Sequence, residues 1–145
     1  MTIQEIDHLT ERFYQSISFN TEHFPNLDQL KELFFGDGKL INANFDQVLD
    51  FTVQTFSHSL MAQIESGNAT HFTQQEISDQ TEIFGIIAQR ISVYEYTSSA
   101  ISNGKWKQGV NYIQYLNVHG KWLITSMIWK DESPDLSIPE SYLDL

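Results

Sequence analysis

Arg90 is the side chain whose position most needs a chemical explanation. Strand alternation groups it with Phe84, Ile86, Ala88, Ser92, Tyr94 and Tyr96, and a charge on an enclosed face is costly unless it is paired. Two kinds of partner satisfy it. One is a carboxylate or enolate group of a bound ligand. The other is a cross-strand carboxylate from Glu76, Asp79 or Glu82 on the open face of the sheet. Further along the chain, Tyr112, Gln114 and Ser126 have the donors and acceptors to orient a ligand, with Trp122 sealing the helix side of the pocket. Tyr14 has a phenol positioned to donate to a carbonyl. The candidate ligand-binding set is therefore Tyr14, Arg90, Tyr94, Tyr112, Gln114, Trp122 and Ser126. The competing reading of the same residues is core packing, with their polar tips satisfied inside the protein.

Acid–base and metal chemistry have fewer candidates. Asp37 lies between Gly36 and Gly38 and reads as a turn residue. His58 falls about 150° around a helix from the centre of its apolar face at 100° per residue, which directs it to solvent. His71 begins a strand and His119 sits in a hairpin turn, both surface positions, and His8 and His23 have no partner at ligand spacing. The five histidines form neither HxH nor HExxH, and Asp46 with Asp50 is a single helical pair, so no metal is expected. Without a glycine-rich phosphate loop, a nucleophile elbow or a dinucleotide fingerprint, no cofactor is expected either.

These residues must be positioned by a helical first half and a β second half. Ile3, Ile6, Leu9, Phe13 and Ile17 form one apolar stripe, with Tyr14 at its edge, and predict an amphipathic first helix. Asn26 caps a short second helix through Leu27, Leu30 and Leu33, which Phe34 to Gly38 breaks before a short strand at Lys39 to Asn42. A third helix is predicted from about Phe45 to Glu65, with Phe45, Val48, Leu49, Thr52, Phe56, Leu60 and Ile64 on one face and Gly67 ending it. Strands follow at His71 to Glu82, Phe84 to Ser98, Lys107 to Val118 and Lys121 to Lys130, with a turn-rich link from Ser98 to Gly104.

The register of the last hairpin decides which of its side chains point inward. Because a two-residue loop would give His119 a positive φ, a three-residue loop with Gly120 as the left-handed bulge residue is expected. Val110, Tyr112, Gln114 and Leu116 then share a face with Trp122, Ile124, Ser126 and Ile128. Leu123, Thr125, Met127 and Trp129 fall on the opposite face with Ile113 and Tyr115. An apolar patch of that size facing water is unusual for a monomer and predicts a homodimer through the outer sheet face. The acidic segment 131–145 is irregular, with Ile138, Tyr142 and Leu143 available to pin it.

A chain of 145 residues, 41% hydrophobic and 19% charged, suits one domain over 1–145. A formal charge of −11 and scattered lysines and arginines exclude nucleic acid as the expected partner. The absence of cysteine fits a reducing compartment. No apolar run approaches the roughly 20 residues of a membrane span, and the acidic start is unlike a signal peptide. A cytoplasmic protein without membrane contact is expected.

Helices followed by a sheet ending in Gly120-Lys121-Trp122 resemble the nuclear transport factor 2-like superfamily, particularly its bacterial SnoaL-like members. The break at Leu33 to Gly38 and the strand Ile91-Ser92-Val93-Tyr94-Glu95 have the strongest likeness, which spans Phe13 to Trp129, and 138–143 adds to it. The resemblance implies an α+β cone: a strongly curved, mostly antiparallel sheet wrapped around N-terminal helices, enclosing a pocket and often dimerising through its outer face. It implies no single chemistry, because the superfamily includes isomerases, cyclases, dehydratases, epoxide hydrolases and binding modules. Alignment on Phe35-Gly36-Asp37 places Asn42 or Ala43 where a ketosteroid isomerase has its aspartate base, which disfavours that mechanism. The leading expectation is a pocket for an apolar or aromatic compound with a polar group. A lyase, isomerase or cyclase of SnoaL-like type, or a protein-interaction module with a vestigial pocket, are the alternatives.

Overall fold

The computed structural model describes residues 2–143; Met1, and Asp144 and Leu145 at the end of the acidic tail, lie outside the described residues. Helix α1 (Thr2–Ile17) and helix α2 (Leu27–Glu32) come first, then strands β1 (Leu40–Asn42) and β2 (Leu49–Phe51) and helix α3 (Val53–Glu65). Strands β3 (Phe72–Phe84), β4 (Ile87–Ser98), β5 (Lys107–Val118) and β6 (Lys121–Asp131) complete one six-stranded sheet, ordered β2-β1-β6-β5-β4-β3. All neighbours are antiparallel except β1 and β6, which run parallel. This is an α+β fold with N-terminal helices on a mostly antiparallel sheet.

The apolar stripe of α1 explains the layering. Ile6, Leu9, Phe13 and Ile17 are buried and join one core with Leu30, Leu33 and Phe34, and with Tyr94, Ile113, Tyr115, Ile124 and Met127 of the sheet. Asn26 caps α2 as its residue type predicts, its Oδ1 accepting from the Gln29 amide at 3.0 Å.

Helix α3 begins eight residues later than the sequence periodicity suggests, at Val53. Thr52 forms a reciprocal capping box: its Oγ1 accepts from the Thr55 amide at 3.2 Å, and its own amide donates to Thr55 Oγ1 at 2.9 Å. Upstream, Leu49 to Phe51 pairs with β1 instead of coiling, and Phe45 and Val48 are exposed. Their spacing matched the helix only by continuing its period across a cap.

Two tight hairpins shift the expected strands. Phe84 belongs to β3, and Gly85, at φ 61°, and Ile86 make the turn into β4. The last hairpin has a two-residue loop, with Val118 opposite Lys121, and not the three-residue loop expected from His119. His119 (φ 52°) and Gly120 (φ 89°) are both left-handed, and the Gly120 amide donates to Asn117 Oδ1 at 2.8 Å. That side-chain bond closes the turn and supports His119 in a conformation its type seldom adopts.

The two-residue loop inverts the expected faces of β5, setting Asn117 and Tyr115 opposite Trp122 and Ile124, and a β-bulge then inverts those of β6. Gln114 pairs with Ser126, yet the next residue, Tyr115, pairs with Ile124, so Thr125 has no partner and β6 changes phase there. Trp122 and Ile124 point into the core as expected. Beyond the bulge Met127 and Trp129 point inward, together with Asn111, Ile113 and Tyr115, while Tyr112, Gln114 and Ile128 face outward. The patch expected to drive dimerisation thus contributes Ile113, Tyr115 and Met127 to the core.

The tail crosses the outer face of the sheet. Tyr142 Oη lies 2.7 Å from Tyr112 Oη, Ser78 Oγ donates to the Tyr142 carbonyl at 2.7 Å, and Gln80 Nε2 donates to the Ser141 carbonyl. Replacing Thr52 with Ala removes the cap of α3 and is expected to cost about 1 kcal/mol. Urea denaturation followed by circular dichroism checks this, as a lower midpoint at unchanged slope.

Candidate functional site

A cavity of about 770 Å³ opens at one end of the sheet, between the C-terminal half of α1, helix α3, the ends of β3, β4 and β6, and the start of the tail. Its walls are aromatic. Phe56 of α3 meets Trp129 of β6 edge to face at 6.3 Å, Phe72 of β3 lies 5.7 Å from Tyr96 of β4, and Tyr94 lies 6.0 Å from Tyr96. Cross-strand pairing brings these rings together, since Tyr96 stands opposite Gln74 and Tyr94 opposite Glu76 on the inward face. The size and lining suit a small organic molecule.

Polar residues share that wall, among them Gln63, Gln74, Lys107, Lys130 and Glu132, and two more are tied into hydrogen-bond networks of the core. The first is Asp131 at the end of β6, whose carboxylate accepts from Tyr94 Oη at 2.6 Å and, through its other oxygen, from Tyr96 Oη. Its backbone amide donates to Asn44 Oδ1 at 2.7 Å. Burial raises the pKa of both phenols, and the adjacent Asp131 raises them further, so they remain neutral donors. Gly109, opposite Tyr94 on β5, makes room for this arrangement: a Cβ there would collide with the Tyr94 hydroxyl and lie 2.7 Å from the Lys130 carbonyl.

The second is Asn111 of β5, which is 2% exposed and lines the cavity. Its Nδ2 is 3.4 Å from Tyr14 Oη and 3.5 Å from Met127 Sδ, while its Oδ1 is buried with no hydrogen-bond partner. Behind Asn111 runs a polar chain through the core. Tyr14 Oη is 2.8 Å from Ser92 Oγ, and Ser92 Oγ donates to Glu76 Oε2 at 2.6 Å. Glu76 Oε1 accepts from Arg90 Nη1 at 2.9 Å. Beside this chain Tyr115 Oη lies 2.7 Å from Thr10 Oγ1, which itself donates to the Ile6 carbonyl at 2.8 Å. The carboxyl of Glu76 is raised above the ordinary range, chiefly by burial and against the pull of Arg90. The Tyr14 phenol is raised as well, also by burial.

Arg90 faces inward with Ala88, Ser92 and Tyr94, as alternation requires, and its side chain is fully enclosed. Protein groups occupy its guanidinium: Glu76, Asp7 of α1, Asp79 at 3.5 Å, and Thr81 Oγ1 accepting from Nε at 2.7 Å. Two of the three carboxylates considered from sequence are present, and Asp7, from a different element, is the addition. Arg90 does not line the cavity.

Of the other candidates, Tyr94 lines the cavity and Tyr14 lies behind Asn111. Tyr112 and Gln114 face away from it across the sheet because the two-residue loop shifts the register of the last hairpin, and Ser126 does so because of the bulge at Thr125. Trp122 is buried toward the opposite end, beside a shallower groove that includes His8 and Arg12. His8, His23, His58 and His119 are exposed, and His71 is an exposed residue on the cavity rim. Among the described residues no group of three or more His, Asp or Glu side chains is placed to hold a metal ion. Sequence reasoning missed Asp131 and Asn111. Asp131 read as the start of an acidic tail, and Asn111 sits one residue out of phase with the face assigned inward.

Two substitutions test this architecture. Arg90→Met leaves Glu76 and Asp79 without their cation and is expected to lower unfolding free energy by about 3 to 5 kcal/mol in urea titration. Gly109→Ala is expected to cost about 1 to 3 kcal/mol by overpacking against Tyr94, with a near-ultraviolet dichroism change from the displaced ring.

No protein-family model matches the chain, and no curated protein matches it. Solved structures do. A protein of unknown function with a cystatin-like fold from Nostoc punctiforme is 17% identical, with a TM-score of 0.67 over 92% of each chain. An NTF2-like protein of unknown function from Silicibacter pomeroyi is 16% identical, with a TM-score of 0.60 over 90% of this chain and 96% of the other. A proposed aromatic ring hydroxylase from Novosphingobium aromaticivorans is 11% identical, with a TM-score of 0.70 over 90% of this chain and 89% of the other. No helix among the described residues is long and apolar enough to cross a membrane. The chain has the cystatin-like α+β fold of the nuclear transport factor 2-like proteins.

Proposed function

We propose that the protein binds a small apolar or aromatic compound carrying one polar group, held in the cavity between α3 and the ends of β4 and β6. The observation behind this reading is Asn111, a cavity-lining residue whose Oδ1 is a buried acceptor without a partner, in a wall shared with Phe56, Phe72, Tyr96 and Trp129. Rings of that kind bury an apolar body, and a single polar point fixes its orientation. The Asp131 clamp adds a second anchoring point at the rim. Similarity to a proposed aromatic ring hydroxylase is in keeping with an aromatic ligand. A reducing, cytoplasmic setting fits the cysteine-free chain.

Isothermal titration with 2-naphthol is expected to give one saturable site with a Kd on the order of micromolar. Phe56→Ala, which opens the aromatic wall while keeping the capping box of α3, is expected to weaken that Kd about tenfold, or about 1.4 kcal/mol. Absence of saturable binding by the native protein, or equal affinity in the variant, would remove the basis for this reading.

A second reading concerns the outer sheet surface. Phe84, Ile86 and Ile87, at the β3–β4 hairpin, are exposed, as is Ile128 on the same sheet. We propose that two copies associate there, which is also how the fold's resemblance reads. Light scattering at about 50 µM, well above the micromolar range of a specific contact, is expected to report twice the 16.8 kDa chain mass. A mass of one chain would rule the dimer out.

A further inference from the structure

Proton accounting along the buried chain assigns a direction to every hydrogen bond in it. Glu76 uses Oε1 to accept from Arg90 Nη1 and Oε2 to accept from Ser92 Oγ, at 2.9 and 2.6 Å. Ser92 has one hydroxyl proton, and that bond occupies it. The 2.8 Å contact between Ser92 Oγ and Tyr14 Oη therefore has the tyrosine as donor. With its proton so placed, Tyr14 Oη offers only lone pairs to Asn111, and the carboxamide must turn its Nδ2 toward it. Met127 Sδ, also an acceptor, faces the same nitrogen at 3.5 Å. Both neighbours of the amide nitrogen thus select one of the two orientations of the Asn111 side chain. The other end, Oδ1, is the one left without a partner.

We propose that Glu76 is a positioning residue which, through Ser92 and Tyr14, presents Asn111 Oδ1 to the cavity as an obligate acceptor, so that the ligand is one bearing an N–H or O–H donor. The inference rests on the cavity being a ligand site and specifies the polar group of that ligand. A phenol, an alcohol or a ring N–H satisfies Oδ1. A ketone or an ether would set lone pair against lone pair. Arg90 keeps the chain polarised in this sense by keeping Glu76 a carboxylate, and Arg90 is itself held by Asp7, Asp79 and Thr81. The raised pKa of the Tyr14 phenol agrees with a tyrosine that retains its proton as a donor.

The direction is reversible by one atom. In Glu76→Gln the amide nitrogen at the Oε2 position donates to Ser92, Ser92 then donates to Tyr14, and Tyr14 donates to Asn111, whose carboxamide turns to put its Nδ2 in the cavity. Indole, which only donates, and 1-indanone, which only accepts, are close in size and serve as the two probes in calorimetric titrations at pH 8. The native protein is expected to bind indole about tenfold more tightly than 1-indanone, and Glu76→Gln to abolish or invert that ratio. Asn111→Leu, which removes the acceptor without touching the Arg90 cluster, is expected to equalise the two probes, and it decides the matter if Glu76→Gln does not fold. A native preference for 1-indanone, a native ratio near one, a folded Glu76→Gln variant with the native ratio, or an Asn111→Leu variant that keeps it would each overturn the proposal. If the native protein binds neither probe nor 2-naphthol, the binding reading fails and the inference fails with it. If it binds both equally, only the inference fails.

Discussion

The rest of the structure depends on the need to neutralise a guanidinium inside the core. Arg90 is 2% exposed in a chain that has few cations, and burying it alone would cost more than a domain of this size can sustain. The solution draws carboxylates from two layers, Glu76 and Asp79 from β3 and Asp7 from α1. The first helix is thereby tied to the sheet by charge as well as by its apolar stripe. Glu76 bonds both Arg90 and Ser92, so the same pairing extends a polar line through Tyr14 to Asn111. One electrostatic requirement at one end of the core therefore reaches the wall of a cavity at the other.

Local signals made most of the fold legible in the sequence. Periodicity located α1, Asn26 located α2, and β-rich composition located the four long strands to within a few residues. The cone-like α+β arrangement followed from their order and from resemblance. The failures arose where a side chain outside the pattern decided the backbone. Thr55 returning a bond to Thr52 started α3 eight residues late. Asn117 accepting from Gly120 allowed a turn that His119 alone argued against.

The site was less legible, because a hairpin one residue tighter than expected and a bulge at one position each reversed a set of faces. Alternation works until a bulge, and β4 keeps its phase from Ala88 through Tyr94, so Arg90 and Tyr94 could be grouped on one face from sequence alone. Their burial, in place of the open face expected for a paired Arg90, came from the structure. β6 does not keep its phase, because Thr125 is extra. Nothing in Leu123 to Ile128 marks that position, and the inward assignments on β5 were inverted separately by the two-residue loop, which pairs Tyr115 with Ile124. Trp122, which precedes the bulge, was placed inward correctly, and Ser126, which follows it, was not. Asn111 was missed for the same reason that Tyr112 was chosen.

The chemistry of the cavity follows from which of its groups are already engaged. The phenols of Tyr94 and Tyr96 are committed to Asp131, and burial beside that carboxylate makes their ionisation harder. Asp131 in turn accepts on both oxygens. The five histidines lie at the rim or on the exterior. Among the buried side-chain atoms of the wall, the one left unengaged is a neutral carboxamide oxygen, a group that recognises a donor and orients it but neither abstracts nor supplies protons. A carboxylate already held by two phenols must exchange them for a ligand's donor before it can act on a bound molecule, so any role for Asp131 in chemistry is tied to release of Tyr94 and Tyr96.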